Sequence, residues 1–351
     1  GLTMLGRLFR KRERRMFSAR LMPVEVSLEV ASNQRLLDAA LEQGIAFPHS
    51  CRVGGCGTCR CRLLEGEVKE HTDTSYLLSA DEIAEGTILA CQSTPRGDVV
   101  IEVPGLTLEE SVGPQVACTG RVSAIDRLGR DVIRLELELE QDVDYRAGQF
   151  AQLSVPGIVN QPRSYSFSTG PDERRSERSV AFDIRVLPDG VFSGWLGGSA
   201  AVGDKVDYEG PRGSFYLRPS GAPILGVVGG TGLGPLLAMI EELVGRSQSR
   251  DAILLVGARS PEAFYGLDIL ETLQRRFPAR LDVWPVVSEA DSEWSGRRGL
   301  VTEHIAGVPR LHEHHAYLCG PPGMIDAAVP ILTAAGVSNI HYDKFLDTSG
   351  L

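Results

Sequence analysis

The sequence is poor in aromatic residues, which make up 6% of its 351 positions and include three tryptophans. It has no unbroken apolar run approaching the roughly twenty residues that cross a bilayer. It has no leading segment with the charge, apolar stretch and small-residue cleavage site of a secretion signal, and no repeat or low-complexity tract. Cysteine is scarce and odd in number: Cys51, Cys56, Cys59, Cys61, Cys91, Cys118 and Cys319. These features argue against a membrane-spanning chain and a secreted disulfide scaffold. They point to a cytoplasmic protein in which clustered cysteines hold a metal.

Basic charge is also lacking, except at one end. The net charge is −10. Residues 1–20 carry seven basic residues and one acidic residue, so the remainder stands at −16. An acidic body excludes broad nucleic-acid binding. In the basic stretch, Leu5, Leu8 and Phe9 fall at helical spacing among arginines. This allows two readings: a peripheral contact of residues 4–20 with an anionic membrane face, or a solvated tail. Gly1–Thr3 precede Met4 and read as an expression scar.

What is present is strongly patterned. "SCRVGGCGTCRC" (50–61) places four cysteines among glycines and arginines. By itself it admits a disulfide knot, a zinc site or an electron carrier. Before it, Val24, Val26, Leu28 and Val30 alternate with polar residues and predict a strand. "NQRLLDAALEQG" (33–44) predicts a helix with Asn33 near its N-cap and Gly44 at its stop. "CRLLEGEV" (61–68) and "DVVIEV" (98–103) predict further strands, and "PGLTLEESVGPQV" (104–116) a linker.

From Val116 the pattern is antiparallel. "DVIRLELELE" (131–140), "GQFAQLSV" (148–155), "RSYSFS" (163–168) and "SVAFDIRVL" (179–187) alternate in short runs, as in a barrel. From residue 224 strands and helices take turns. "ILGVVGG" is followed by "GPLLAMIEELV" with Pro235 at the first helical position. "DAILLVGA" (251–258), "LDVWPVV" (281–287) and "HAYLCG" (315–320) follow. That rhythm predicts a doubly wound parallel sheet. "GGTGLGP" (229–235) lets backbone N–H groups approach a phosphate at a strand-to-helix turn. "GAR" (257–259) and "CGPPG" (319–323) end strands at the edge where such sheets bind ligands. "RSYS" (163–166) joins an arginine, an aromatic and a hydroxyl that suit a flavin nucleotide, and "GVFSGWL" (190–196) offers a second phosphate cradle.

Cys51-x4-Cys56-x2-Cys59 with a distant Cys91 resembles the ligand spacing of a plant-type [2Fe–2S] ferredoxin. "RSYS", "GGTGLGP" and "CGPPG" resemble the ferredoxin–NADP reductase superfamily. Their order resembles the single-chain reductases of bacterial oxygenases, most closely the xylene- and cymene-monooxygenase group. "GIAFPHSCRVGGCGTC", "GVFSGWL", "GRRGLVTE" (296–303) and "YLCGPPGMIDAA" (317–328) carry that likeness from about residue 22 to the end.

The resemblance implies a multidomain chain: a basic tail (1–21), an α+β β-grasp ferredoxin domain (22–105), a linker (106–115), an antiparallel β-barrel FAD domain (116–220) and an α/β NAD domain with a flavin-capping tail (221–351). It implies cluster ligation by Cys51, Cys56, Cys59 and Cys91, with Gly54, Gly55 and Gly57 letting the loop wrap. For FAD it implies Arg163, Ser164, Tyr165, Ser166, Val186, Gly190, Ser193 and the C-terminal Phe345. For the nicotinamide it implies Gly230, Thr231, Gly232, Cys319 and Gly320, with Thr231 and Cys319 on the hydride-transfer side and no general acid or base. Arg259 ends the strand that usually ends in Asp or Glu in NAD enzymes. An arginine there suits a 2′-phosphate, whereas the resemblance implies NADH. Cys61 and Cys118 read as structural, and "HEHH" (312–315) as a solvated loop.

The implied function is NADH-dependent transfer of electrons through FAD and [2Fe–2S] to a terminal oxygenase, with a membrane-bound di-iron hydroxylase expected. The alternatives are a soluble Rieske dioxygenase, soluble di-iron monooxygenase or P450 partner. More distant is a non-enzymatic iron–sulfur sensor, against which complete flavin and nicotinamide motifs argue.

Overall fold

A computed structural model describes residues 15–106, 115–171 and 176–345. The chain divides into two compact units, Gly1–Val112 and Gly113–Leu351.

The first unit contains β1 (Met16–Met22), β2 (Val26–Ala31), α1 (Leu36–Glu42), β3 (Arg60–Glu65), β4 (Val68–Glu70), α2 (Ala80–Ala84), β5 (Thr87–Leu89), β6 (Ser93–Pro95) and β7 (Val99–Glu102). Five strands form one sheet in the order β2-β1-β7-β3-β5, with β1 antiparallel to β2 and parallel to β7. A helix crossing this mixed sheet is the β-grasp arrangement. Leu36, Leu37, Ala39 and Ala40 of α1 are buried in the core with Leu21, Val30 and Ile101. Each leucine so buried contributes about 1.5–3 kcal/mol.

Three expectations need correction here. The tail expected over residues 1–21 ends earlier, because Met16–Met22 is a strand whose Ala19 and Leu21 alternate into the core. Residues 1–14 lie outside the described residues. Helix α1 starts at Leu36 behind an extended Arg35 that makes no side-chain cap, two residues past Asn33. The strand expected over 61–68 is broken at Gly66, where φ is +90°. At the expected linker, Leu106 is buried in the core, and residues 107–114 lie outside the described residues.

The second unit opens with a barrel: β8 (Val116–Arg127), β9 (Val132–Leu139), β10 (Phe150–Val155), β11 (Val159–Ser166), β12 (Ser179–Arg185), α3 (Val191–Gly198) and β13 (Lys205–Arg212). The antiparallel sheet runs β11-β10-β13-β8-β9-β12, and a bridge between Phe167 and Phe182 joins its two ends. Alternating inward residues, among them Leu135, Leu137, Leu153 and Phe182, fill the interior.

The parallel sheet follows: β14 (Ile224–Gly229), α4 (Leu233–Gly245), β15 (Ala252–Ala258), α5 (Leu267–Arg276), β16 (Leu281–Val287), β17 (Arg297–Arg298), β18 (His315–Gly320), α6 (Pro322–Ala334) and β19 (Asn339–Lys344). Its order is β17-β16-β15-β14-β18-β19, so strand order reverses between β14 and β18. Helices α4 and α5 pack with Leu254 and Tyr317 on one face. Helix α6 and the Val301–Gly307 turn pack with Leu255 and Leu318 on the other. Val132, Ala147 and Phe215 of the barrel share the core of α4, and Gly170 N donates to Glu241 Oε2 at 2.6 Å.

Helix α4 starts at Leu233, after a 3-10 turn over Gly230–Gly232, so Pro235 is its third residue rather than its first. The solvated loop expected at 312–315 is also corrected. His314 is buried, with Nδ1 at 3.1 Å from the Arg310 carbonyl, and His315 opens β18.

Candidate redox-cofactor sites

In the first unit, Cys51, Cys56 and Cys59 lie on the loop between α1 and β3, and Cys91 sits in the short turn after β5. The folding of β3 against β5 brings Cys59 to Cys91, since Ala90 N donates to the Cys59 carbonyl at 3.1 Å. The thiols associate in pairs. A hydrogen bond from Cys56 is the main cause holding Cys51 down to about 6, against opposing burial. A hydrogen bond from Cys59 likewise lowers Cys91. Backbone N–H groups add to this, with Gly55 N 3.3 Å from Cys51 Sγ and Thr58 N 3.5 Å from Cys56 Sγ. Two thiol pairs surrounded by donors fit two irons, each taking two thiolates.

Gly54 and Gly57 adopt φ of +87° and +75°, whereas Gly55 contributes its N–H. Cys61 is not part of either pair. It is buried in β3 with its thiol pushed up by burial. Cys118 is half-buried in β8.

In the barrel, Arg163, Ser164, Tyr165 and Ser166 end β11. The Tyr165 ring lies 5.0 Å from Phe192 of α3, which meets Trp195 edge-on at 5.4 Å. That aromatic cluster joins the two expected flavin segments. Burial pushes the Tyr165 phenol up, so it remains a neutral ring surface. Arg163 is half-buried, and its hydrogen bonds go to Gln161 Oε1 at 3.4 and 3.5 Å. Among the described residues no carboxylate pairs with it, leaving its fork open to a phosphate.

At the second segment Ser193 does something different from an open cradle. Its Oγ accepts from Leu187 N at 3.1 Å and lies 3.5 Å from the Gly190 carbonyl, to which it donates. It therefore ties the turn that carries Val186 and Gly190, the N-cap of α3.

In the parallel sheet, Gly230, Thr231 and Gly232 meet Cys319 and Gly320 at the reversal of strand order. A Cβ on Gly232 would stand 2.1 Å from the Cys319 carbonyl oxygen, so the turn and the strand end press together as only glycine allows. Gly320 has φ of +134°, and its carbonyl accepts from Phe345 N at 2.9 Å. Phe345 is thus held beside this edge. Cys319 is fully buried, and burial, then Asp343, push its thiol well above the usual range. Arg259 is exposed past the end of β15.

The structure adds residues the sequence reading passed over. The Arg185 guanidinium, paired with Asp131 at 3.1 Å, lies 3.2 Å from where a Gly230 Cβ would be. It bridges the barrel and the glycine turn, and its adjacency to Val186 was the available signal. Tyr265 Oη donates to the Thr231 carbonyl at 3.4 Å. Gln92 Nε2 donates to Cys91 Sγ at 3.6 Å, and Tyr76 Oη to the Gly54 carbonyl at 2.6 Å.

Comparison with known proteins agrees with this arrangement. Residues 19–96 match the 2Fe-2S iron-sulfur cluster binding domain, residues 119–216 the oxidoreductase FAD-binding domain and residues 227–329 the oxidoreductase NAD-binding domain. The xylene/toluene monooxygenase electron transfer component XylA of Pseudomonas putida is 37% identical over 321 residues, 90% of each chain. The phenol 2-monooxygenase reductase component DmpP of Pseudomonas sp. strain CF600 is 34% identical over 90% of each chain. Among solved structures, the Amycolatopsis cytochrome P450 reductase GcoB superposes with a TM-score of 0.75 at 31% identity, covering 95% of this chain and all of that one. With cluster, flavin and nicotinamide domains in the same order along the same length, this chain belongs to the iron–sulfur flavoprotein reductases that serve as electron-transfer components of multicomponent oxygenases.

Proposed function

We propose that the chain oxidises NADH and delivers electrons to a membrane-bound di-iron hydroxylase acting on aromatic or alkyl substrates. The observation that carries the nicotinamide-to-flavin half is the meeting of Gly230–Gly232, Cys319–Gly320, Phe345 and the barrel's Arg185 at one sheet edge. When bound, the nicotinamide supplies a hydride, the FAD accepts its two electrons, and the [2Fe–2S] cluster passes them on singly.

The residues then have separate tasks. Cys51, Cys56, Cys59 and Cys91 hold the two irons. Arg163 pairs with the flavin pyrophosphate, while Tyr165 packs on the ring system and Ser166 hydrogen-bonds near it. Ser164 completes that strand's flavin segment. Val186, Gly190 and Ser193 shape the second flavin segment. Gly230, Thr231 and Gly232 bring backbone against the dinucleotide, and Cys319 and Gly320 back the nicotinamide. Phe345 covers the flavin face. No residue here needs to donate or take a proton.

The choice of NADH follows the match to an oxidoreductase NAD-binding domain rather than Arg259. Turnover with ferricyanide, NADH against NADPH, tests it: a large NADH preference is expected, and a large NADPH preference overturns it. The membrane partner is supported by the basic, apolar residues 4–14, since Met16–Arg20 are committed to β1. Among the described residues no helix is long and apolar enough to cross a membrane. Flotation with anionic vesicles, with and without residues 1–14, should show binding lost on deletion. Unchanged flotation favours the second reading, a soluble Rieske dioxygenase, soluble di-iron monooxygenase or P450 partner, the last having its precedent in GcoB.

A further inference from the structure

The amino-terminal edge of the parallel sheet gathers cations that electron transfer does not use. Ile224, Ala252 and His315 lie opposite one another at the starts of β14, β15 and β18, and Tyr317 lies opposite His341 on β19. The His341 ring stacks on Tyr317 at 5.1 Å. The Tyr317 hydroxyl accepts from Arg218 N at 2.9 Å, and the guanidiniums of Arg218 and Arg250 both act on it electrostatically, that of Arg250 also reaching it as a hydrogen-bond donor.

Both arginines use part of their donor sets on carbonyl oxygens. Arg218 Nη2 donates to Ser214 O at 2.9 Å, while Arg250 Nε donates to Ala222 O at 2.7 Å and Nη1 to Arg218 O at 3.2 Å. Arg250 is only 4% exposed. That leaves Arg218 Nη1, Arg250 Nη2, His315 Nδ1 and His341 Nε2 buried, each without a hydrogen-bond partner among the described residues. No carboxylate among them pairs with either guanidinium. Burial, then Arg218 and His315, hold His341 down to about 3, and burial, then Arg250, lower His315. The two histidines thus sense the guanidinium charge, which among the described residues is met only by the Tyr216 ring, 3.8 Å from the Arg218 guanidinium carbon, and by the Tyr317 hydroxyl. A buried guanidinium without a counter-charge is costly, and so is each unpartnered donor.

We propose that Arg218, Arg250, His315 and His341 form a buried site for a small inorganic anion, which accepts from the free guanidinium N–H groups and from the imidazoles in the tautomers protonated at His315 Nδ1 and His341 Nε2. The site lies away from the dinucleotide. The glycine turn is at the carboxyl ends of these strands, and β18 runs six residues between the two edges, about 16 Å of extended chain. Arg218 belongs to the segment leading from β13 into β14, so the anion fastens that connection to the sheet. Its role is structural.

The test uses the holoenzyme, with FAD and cluster loaded, at fixed ionic strength in gluconate. Inorganic phosphate, sulfate and chloride are each titrated in against gluconate, and thermal unfolding is followed. The expected result is a saturable rise of a few degrees for at least one of them at large excess over its Kd, and the three arms identify which. The rise should vanish in Arg218→Gln. No saturable rise with any anion, or an equal rise in Arg218→Gln, overturns the proposal. Should that variant not fold, exchange broadening of the phosphate or chloride NMR line by the native holoenzyme decides: saturable broadening supports the site, and its absence for both anions removes it.

Discussion

The Gln92 side-chain amide donates to Cys91 Sγ at 3.6 Å, and a Cβ on Gly54 would stand 2.9 Å from Gln92 Cγ. The amide is therefore clamped against a proposed cluster ligand. A donor on a ligand sulfur favours the more negative, reduced cluster. Gln92→Leu should lower the cluster's midpoint potential. An interaction about 1 kcal/mol stronger in the reduced state corresponds to about 40 mV for one electron. An EPR-monitored redox titration reads this, and an unchanged potential would show that the amide does not tune the cluster.

Cys61 is 2% exposed and its thiol is held neutral by burial. Cys61→Ala should keep full iron and sulfide content and the native visible spectrum. Cys56→Ala should lose the cluster. Loss of the cluster in Cys61→Ala alone would make Cys61 a ligand in place of one of the four.

Arg134 donates to both carboxylate oxygens of Asp183, at 2.7 and 3.1 Å, with the two side chains 15% and 1% exposed. Removing one partner strands a buried charge. Asp183→Ala should cost about 3–5 kcal/mol in denaturant unfolding of the second unit. A loss below about 1 kcal/mol would mean that solvent reaches the guanidinium.

Gly232→Ala forces a methyl into the Cys319 carbonyl, so the nicotinamide turn must shift. A displacement near 1 Å is enough to lower kcat/KM for NADH by about 100-fold. Iron content and bound FAD should be retained. Stopped-flow flavin reduction compared with cofactor analysis separates these, and native kinetics in this variant would place the nicotinamide elsewhere.

His341 gives the second unit an acid-sensitive point. Its folded value, about 3, lies below the ordinary value of about 6.5. The unfolded chain therefore takes up the proton first. The stability this group contributes is fully present above pH ~6.5 and declines as pH falls towards 3. Urea midpoints measured from pH 7 to 5 should fall less steeply in His341→Phe, which keeps a ring on Tyr317. Equal slopes in the two proteins would count against a buried neutral imidazole.

Much was legible in the sequence because its signals are local. Alternation along 131–140 marks β9, and the change to alternating strands and helices marks the parallel sheet. The x4, x2 cysteine spacing and the glycine turn need only a few adjacent residues. What escaped depends on partners far away in sequence. Met16–Met22 looked like a basic tail, since its strand character comes from pairing with β2 and β7. "HEHH" looked solvated, yet His315 opens an inner strand of the sheet, paired with β14 on one side and β19 on the other. Ser193 was read as a phosphate contact, and its turn instead occupies the hydroxyl.

The sequence alone determined the class of chemistry through its resemblances: a cysteine loop spaced as in plant-type ferredoxins, then an Arg-x-Tyr-Ser strand and a glycine turn like those of the ferredoxin–NADP reductases. These are short-range patterns whose backbone and donor requirements are met by near neighbours. Only the tertiary structure decided which thiols pair, which amide touches Cys91, and that Arg185 reaches Gly230. It also decided that four unpartnered nitrogens, of residues 218, 250, 315 and 341, lie at one edge of the sheet. Such meetings arise from strand order and packing, which bring together residues that no spacing rule connects.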